Sequence, residues 1–278
     1  MKLLGIDLEM GNPFTDEEGN DTKPENSWVT EVGLVMYDTD LKQVVDIYSA
    51  LVNEGKGVSK DSEEYTGITT ELITKYGQNP QKVANDTIDR IQFCDYVVAH
   101  NGNRADRPWI GHFFNRHLPP NWLKDMHPWA PPHWIDTMTD VEYPKNCSAR
   151  SLTFLAGFHK TMNPFAHRAV TDVMTMFEVL NKYDINRVLK VSKSPEVTLR
   201  ALSEVDSVQD YGARKAYFNE GTPEFLRMER WKKLVSKHGF RWDGKGKVWV
   251  NKTKQVFLDE GKVFPFDTCI VNNDGGPF

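Results

Sequence analysis

Two carboxylates stand two residues apart inside an apolar run near the start of the chain, Leu3-Leu4-Gly5-Ile6-Asp7-Leu8-Glu9-Met10. The run has the length and composition of a strand, and a strand sends successive side chains to opposite faces. Asp7 and Glu9 are therefore expected on one face, with Ile6 and Leu8 on the other. Two acids on one face of an apolar strand are unfavourable to bury unless positive charge lies between them. A divalent cation is the simplest such charge, because hard cations bind carboxylate oxygen. An edge strand with both acids in water fits this stretch equally well, so the metal reading needs further residues.

Two later stretches supply them. In Ala99-His100-Asn101-Gly102-Asn103-Arg104-Ala105-Asp106 an acid opens a helical segment that follows a short buried strand. In His167-Arg168-Ala169-Val170-Thr171-Asp172 a histidine precedes an acid by five residues. That spacing is about one and a half helical turns, which places His167 in the loop or first turn ahead of a helix. Ala169, Val173, Phe177 and Leu180 form the apolar stripe of that helix. Asp172 lies off the stripe, free to face a site beside a sheet. Taken singly, Asp106 reads as a charge favoured by a helix N-terminus, His167 as a structural histidine and Asp172 as a solvated acid.

The elements that must position these residues follow from periodicity and turn chemistry. Strands are expected at Leu3–Met10, Trp28–Tyr37 and Gln43–Val52, with Asp38-Thr39-Asp40 turning the second into the third. Short links between three consecutive strands predict an antiparallel meander. Helical spacing covers Ile68–Tyr76 and Gln81–Phe93, the latter opened by Pro80. Asp95–Ala99 reads as a buried strand, residues 105–117 as a helix, Trp134–Met138 as a short strand, and Ser151–Phe158 and Ala169–Tyr183 as helices. Residues 11–27 and 118–134 read as irregular, the first as a loop bordering a groove or simply lying on the surface. The fold class is α/β: a mixed sheet, an antiparallel meander followed by parallel strands, flanked by helices, with a small α+β C-terminal module. The expected division is a catalytic domain over 1–185, a linker over 186–196, the module over 197–267 and a loose tail over 268–278. Within the module, Val197–Leu202 reads as a strand, Pro223–His238 as a helix and Gly239–Val250 as a hairpin.

At 278 residues the chain has room for one large domain, or one of average size with a small companion. Its net charge of −5 argues against coating nucleic acid or membrane by bulk charge, though not against local basic patches. Cys94, Cys147 and Cys269 form neither a zinc pattern nor a disulfide framework, which predicts a reducing compartment, the cytoplasm. Neither a signal peptide nor a membrane span is read in the chain, and no membrane partner is expected.

Together the stretches resemble the DnaQ-like, or DEDDh, 3′→5′ exonucleases of the ribonuclease H-like fold. The family's Asp-x-Glu motif matches Asp7-Leu8-Glu9. Its Ala-His-Asn run followed by Asp matches Ala99-His100-Asn101 and Asp106, with a spacing similar to TREX-type members. Its His-x-Ala-x-x-Asp motif matches His167, Ala169 and Asp172. Thr30-Glu31-Val32-Gly33, Thr66-Gly67-Ile68-Thr69 and Ile135-Asp136-Thr137 are weaker echoes. The resemblance covers residues 1–183 and implies that Asp7, Glu9, Asp106 and Asp172 hold two Mg2+ or Mn2+ ions roughly 4 Å apart. It implies His167 as general base, a role suited to an imidazole at neutral pH. It also implies Leu8, Met10, His100 and Asn101 as contacts to the terminal nucleotide, and 5′-mononucleotides as products. Met10 and Ala105 depart from the residues usual in DNA proofreaders. The sequence Asp7-Leu8-Glu9-Met10 is similar to that of oligoribonucleases, so an exoribonuclease is the alternative to an enzyme of single-stranded DNA or frayed DNA ends. An inactive nucleic-acid-binding protein is a third reading, disfavoured by the complete set of acids. Single-stranded nucleic acid is thus the expected partner, with DNA favoured over RNA, and no polymerase-binding peptide is visible. In the module, Phe240, Trp242 and Trp249 are candidates either for stacking on bases or for a small core, with nearby lysines meeting phosphates.

Overall fold

The structure, a computed structural model, describes residues 1–12, 22–120 and 133–271. The chain divides into two compact units, Met1–Ser192 and Lys193–Phe278.

The first unit is built on a five-stranded sheet of order β3-β2-β1-β4-β5. Its strands are β1 (Lys2–Met10), β2 (Val29–Asp38), β3 (Gln43–Leu51), β4 (Tyr96–Ala99) and β5 (His133–Asp136). The first three pair antiparallel, with Asp7 opposite Gly33 and Glu9 opposite Glu31. β4 and β5 then add in parallel. This is the mixed sheet expected from the sequence. Its helices are α1 (Lys60–Thr66), α2 (Thr70–Tyr76), α3 (Pro80–Gln92), α4 (Asp106–His117), α5 (Thr137–Asp140), α6 (Leu152–His159), α7 (Ala169–Leu180) and α8 (Ile185–Lys193).

The alternation of β1 divides the core. Leu4, Ile6 and Leu8 pack with Val83 and Ile88 of α3 and Trp109 and Phe113 of α4. Leu3 packs on the opposite side with Val173, Phe177 and Leu180 of α7. Each such buried side chain contributes about 1.5–3 kcal/mol. Two glycines let α7 press directly on the sheet. A Cβ on Gly5 would stand 2.4 Å from Val173, and one on Gly33 would stand 2.3 Å from the backbone nitrogen of Val170. The Leu3 face of β1 continues through Gly5 to Asp7 and Glu9, so the acids lie where α7 begins.

Several local expectations are corrected. The helix read over Ile68–Tyr76 is α2 (Thr70–Tyr76), and a further helix, α1 (Lys60–Thr66), stands before it where none was read. Ser59 caps α1, Gly67 ends it in the left-handed region at φ 72°, and Thr69 caps α2. β5 stops at Asp136 rather than running to Met138, because the Asp136 carboxylate accepts the Met138 N–H and turns the chain into α5. The segment read as a linker over 186–196 is largely α8, which buries Val188 and Val191. Ile185, Val188 and Val191 recur at helical spacing, so polar composition concealed an amphipathic helix. The irregular readings at 13–21 and 121–132 lie outside the described residues.

The second unit has a four-stranded sheet of order β7-β8-β6-β9. Its elements in chain order are β6 (Glu196–Ala201), α9 (Glu204–Ser207), α10 (Tyr211–Ala216), α11 (Pro223–Lys237), β7 (Arg241–Asp243), β8 (Val248–Lys254), α12 (Gln255–Asp259) and β9 (Thr268–Val271). The helix and hairpin read from the sequence are α11 and β7–β8. The start of the tail is not loose, because Thr268–Val271 pairs antiparallel with β6. Residues 272–278 lie outside the described residues. Among the described residues, no helix is long and apolar enough to cross a membrane.

Candidate active site

Asp7, Glu9 and Asp172 each present a carboxylate oxygen, and these oxygens lie within 4.8 Å of one another. β1 supplies the first two on one face, and the first turn of α7 supplies the third. Burial pushes Asp7 well above the usual carboxylate range, and the charges of Asp106, Glu9 and Asp172 push it further. Burial, then Asp172 and Glu31, pushes Glu9 up to about 8. Asp106, only 3% exposed at the start of α4, is raised by burial to about 7. It joins the cluster through its Oδ1, which accepts the Leu8 N–H at 3.1 Å. Asp7, Glu9 and Asp106 are raised by burial and by neighbouring acids, and the converging oxygens of Asp7, Glu9 and Asp172 form a hard-cation donor set. The residues present therefore fit divalent metal.

Asp172 is oriented by Asn163, whose Nδ2 donates to Oδ1 at 2.7 Å, and by the His167 N–H, which donates to Oδ2 at 3.2 Å. His167 thus precedes α7 in the loop, as its spacing implies. Its backbone lies in the left-handed region at φ 63°, a conformation disfavoured for a residue with a Cβ. The imidazole is packed on the ring of Tyr65 from α1, with centroids 3.9 Å apart. Burial first, then the charges of Glu9, Asp172 and Asp7, raises the Tyr65 phenol above its usual range, which puts this ring beside the acids.

The segment His167–Ala169 is fixed to the sheet by Glu31, a fully buried acid on β2. Arg168 donates to it through Nε at 3.0 Å and through a terminal nitrogen at 2.8 Å, and the Ala169 N–H donates at 3.1 Å. The segment leading to Asp106 is fixed by Asp136 at the end of β5. Its carboxylate accepts the N–H groups of Asn101 at 2.9 Å and Asn103 at 3.1 Å. Asn101 is also left-handed, at φ 63°.

An open cleft of about 540 Å³ borders the acids and is lined by Leu8, Glu9, Met10, Ser62 and Tyr65 among others. Leu8 and Met10, two of the residues expected to contact nucleotide, line this cleft. His100 does not offer a free nitrogen. Its Nδ1 is 2.8 Å from Thr137 Oγ1 and its Nε2 is 2.7 Å from the Arg150 carbonyl. The carbonyl only accepts, so Nε2 carries the proton and the Thr137 hydroxyl donates to Nδ1. Burial lowers the His100 pKa, in keeping with this neutral form. His100 ties the strand end to neighbouring loops. Asn101 does not line the cleft. Sequence reasoning missed Tyr65, which no spacing marks, and passed Glu31 as a minor echo, although an acid inside the apolar run of β2 was the available signal.

A family model described as an exonuclease, RNase_T, matches residues 4–180. The PolC-type DNA polymerase III proteins of Thermotoga petrophila and Thermotoga maritima are each 24% identical over 201 residues, covering 70% of this chain and 13% of theirs. Exonuclease I of Escherichia coli, in a zinc-bound complex with single-stranded DNA, superposes with a TM-score of 0.54 at 13% identity, covering 73% of this chain and 48% of that one. Exonuclease I of Methylocaldum szegediense superposes with a TM-score of 0.56 at 14% identity, covering 73% and 48%. The chain thus spans a small part of the polymerases and about half of the exonuclease I chains, and the structural likeness shows the ribonuclease H-like exonuclease fold.

Proposed function

We propose a function for a chain that belongs to this exonuclease family: metal-dependent removal of nucleotides from the 3′ end of single-stranded DNA, releasing 5′-mononucleotides. The observation that carries it is the convergence of the Asp7, Glu9 and Asp172 oxygens, with Asp106 buried against the same strand. By their chemistry these acids would hold two divalent ions, Mg2+ or Mn2+. When bound, such ions supply charge that offsets the phosphate, activates water and stabilises the leaving oxygen.

The chain's own residues do the rest. Asp7 and Glu9 are held at fixed spacing by the β1 ladder, and Asp172 by Asn163 and the His167 amide. His167, carried on the loop that Glu31 anchors, takes the proton of the attacking water. The Tyr65 ring limits the directions the imidazole can take. Leu8 and Met10 offer an apolar wall to the terminal sugar and base. The exonuclease I of Escherichia coli, solved in complex with single-stranded DNA, supports DNA in its single-stranded form. The chemistry is assigned to the Met1–Ser192 unit. Cys94, Cys147 and Cys269 are all free thiols, which supports a reducing compartment such as the cytoplasm. Digestion of labelled single-stranded DNA and RNA of one sequence, with Mg2+ or Mn2+, tests the reading. Faster loss of the RNA would move the enzyme to the exoribonucleases, and no loss of either would leave a binding protein.

A further inference from the structure

The second unit contains a cavity that its core does not fill. Leu199, Ala201, Val235 and Phe240 form that core, and Trp231 and Trp249 pack partly against it. Phe240 is only 1% exposed, so it is core and not a stacking platform. Trp242 is different. It sits opposite Trp249 on the β7–β8 hairpin, the two rings meeting edge-on at 5.9 Å, and it is 54% exposed. Together with Trp231, Trp249 and the exposed ring of Phe218 it lines an open cavity of about 140 Å³. Four aromatic rings around an unfilled opening are surface that packing would ordinarily cover.

The charge at the rim identifies what covers it. Arg200 is paired with Asp206, and Lys232 with Glu229, so these ions cancel. Lys247 also lines the cavity. It is held by the hairpin turn at φ 51° and has no ion pair among the described residues. The asymmetry extends to the whole unit. Residues 193–278 hold 15 Lys and Arg against 12 Asp and Glu, whereas residues 1–192 hold 19 against 27. Exposed aromatic faces beside an unbalanced cation match a planar, anionic polymer. A peptide seldom offers such rings, and a duplex hides them.

We propose that this cleft is a nucleic-acid subsite that takes one unpaired base of single-stranded DNA, stacked on Trp242, with the adjoining phosphate met by Lys247. The subsite extends the single-stranded DNA reading of the first unit but does not depend on hydrolysis. It serves to retain long strands.

The test uses the full chain carrying Asp7→Asn, so that the strand survives, and a short oligothymidylate as probe. Binding should quench tryptophan fluorescence. Trp242→Ala should remove much of the quenching and weaken binding about tenfold, within the range of one base–aromatic stack, and Trp242→Phe should restore most of it. Lys247→Gln should lower the slope of log affinity against log salt by about 0.7, the share of one single-strand phosphate. Unchanged affinity in Trp242→Ala would overturn the proposal. If Trp242→Ala also melts early, Lys247→Gln decides, because it removes a charge and little packing, and an unchanged salt slope then overturns it. Equal Trp242-dependent binding of a polyglutamate peptide would assign the cleft to acidic protein and overturn it as well. Failure of the exonuclease reading is a separate result: wild-type protein would leave the labelled strand intact while the Trp242 dependence of binding remained.

Discussion

Burial, then the charges of Asp106, Glu9 and Asp172, disfavours a negative charge on Asp7 in the absence of metal. Asp7→Asn keeps the volume and removes the charge. Activity should fall by at least a hundredfold, about 2.7 kcal/mol of barrier. The metal-free variant should melt at the wild-type temperature or slightly higher, because repulsion is relieved. A variant retaining a tenth of wild-type turnover would contradict the assignment. His167 and Tyr65 make a second test. His167→Ala should lose most of kcat while still binding DNA. Tyr65→Ala should lower kcat more than it raises KM, and Tyr65→Phe should recover it, because the tilted ring contact and not the hydroxyl holds the imidazole. Equal kcat in Tyr65→Ala and wild type would reduce this ring contact to packing. At this scale the acids and His167 were legible because buried carboxylates in an apolar strand are anomalous and their spacing is specific. Tyr65 was not, since its partner is distant in the chain and no pattern links the two. The contacts of the His100 ring to Thr137 and Arg150 were not legible either, because those partners are distant in the chain.

The α7 element carries both His167 and Asp172 to the acids of β1, and its seating depends on one buried pair. Arg168→Ala would leave the Glu31 carboxylate, 0% exposed, without its cation. Breaking such a pair should destabilise the fold by about 2 kcal/mol, reduced from the fully buried figure because Arg168 itself reaches solvent. A drop in melting temperature together with a drop in kcat is expected, and an unchanged melting temperature would show that the pair anchors nothing. The strands of the meander and the long helices were legible from alternation and helical spacing. The helix α8 was not, because Asn186, Arg187 and Lys190 dominate its composition while Ile185, Val188 and Val191 carry its buried side. The strand β9 was missed because its four residues adjoin a run of Asn and Gly that reads as a chain end.

At the scale of the molecule, an acidic catalytic unit is joined to a unit with a cationic excess, and pH and metal should act on the first. Glu9 and Asp106 are raised to about 8 and about 7, above the usual carboxylate value of roughly 4. Groups raised in the folded state favour folding most when both states are protonated in the fold's preferred form, below the unfolded value, and that contribution is lost as pH rises through the folded value. The metal-free protein should therefore lose melting temperature between pH 5 and pH 8 (roughly the window those values define), and Mg2+ should restore it increasingly toward pH 8. A profile that is flat in chelator and unmoved by Mg2+ would mean that the acids are not a coupled cluster. The division into units was legible from composition, and the break after Ser192 falls inside the expected 186–196 segment, although an amphipathic helix and not a linker fills most of it. The most direct test of the central claim is a time course of 5′-labelled single-stranded DNA with Mg2+. The account predicts a ladder that shortens from the 3′ end, with 5′-mononucleotides released, and no shortening in chelator or with Asp7→Asn. Shortening that persists in either condition, or early loss of the 5′ label, would contradict it.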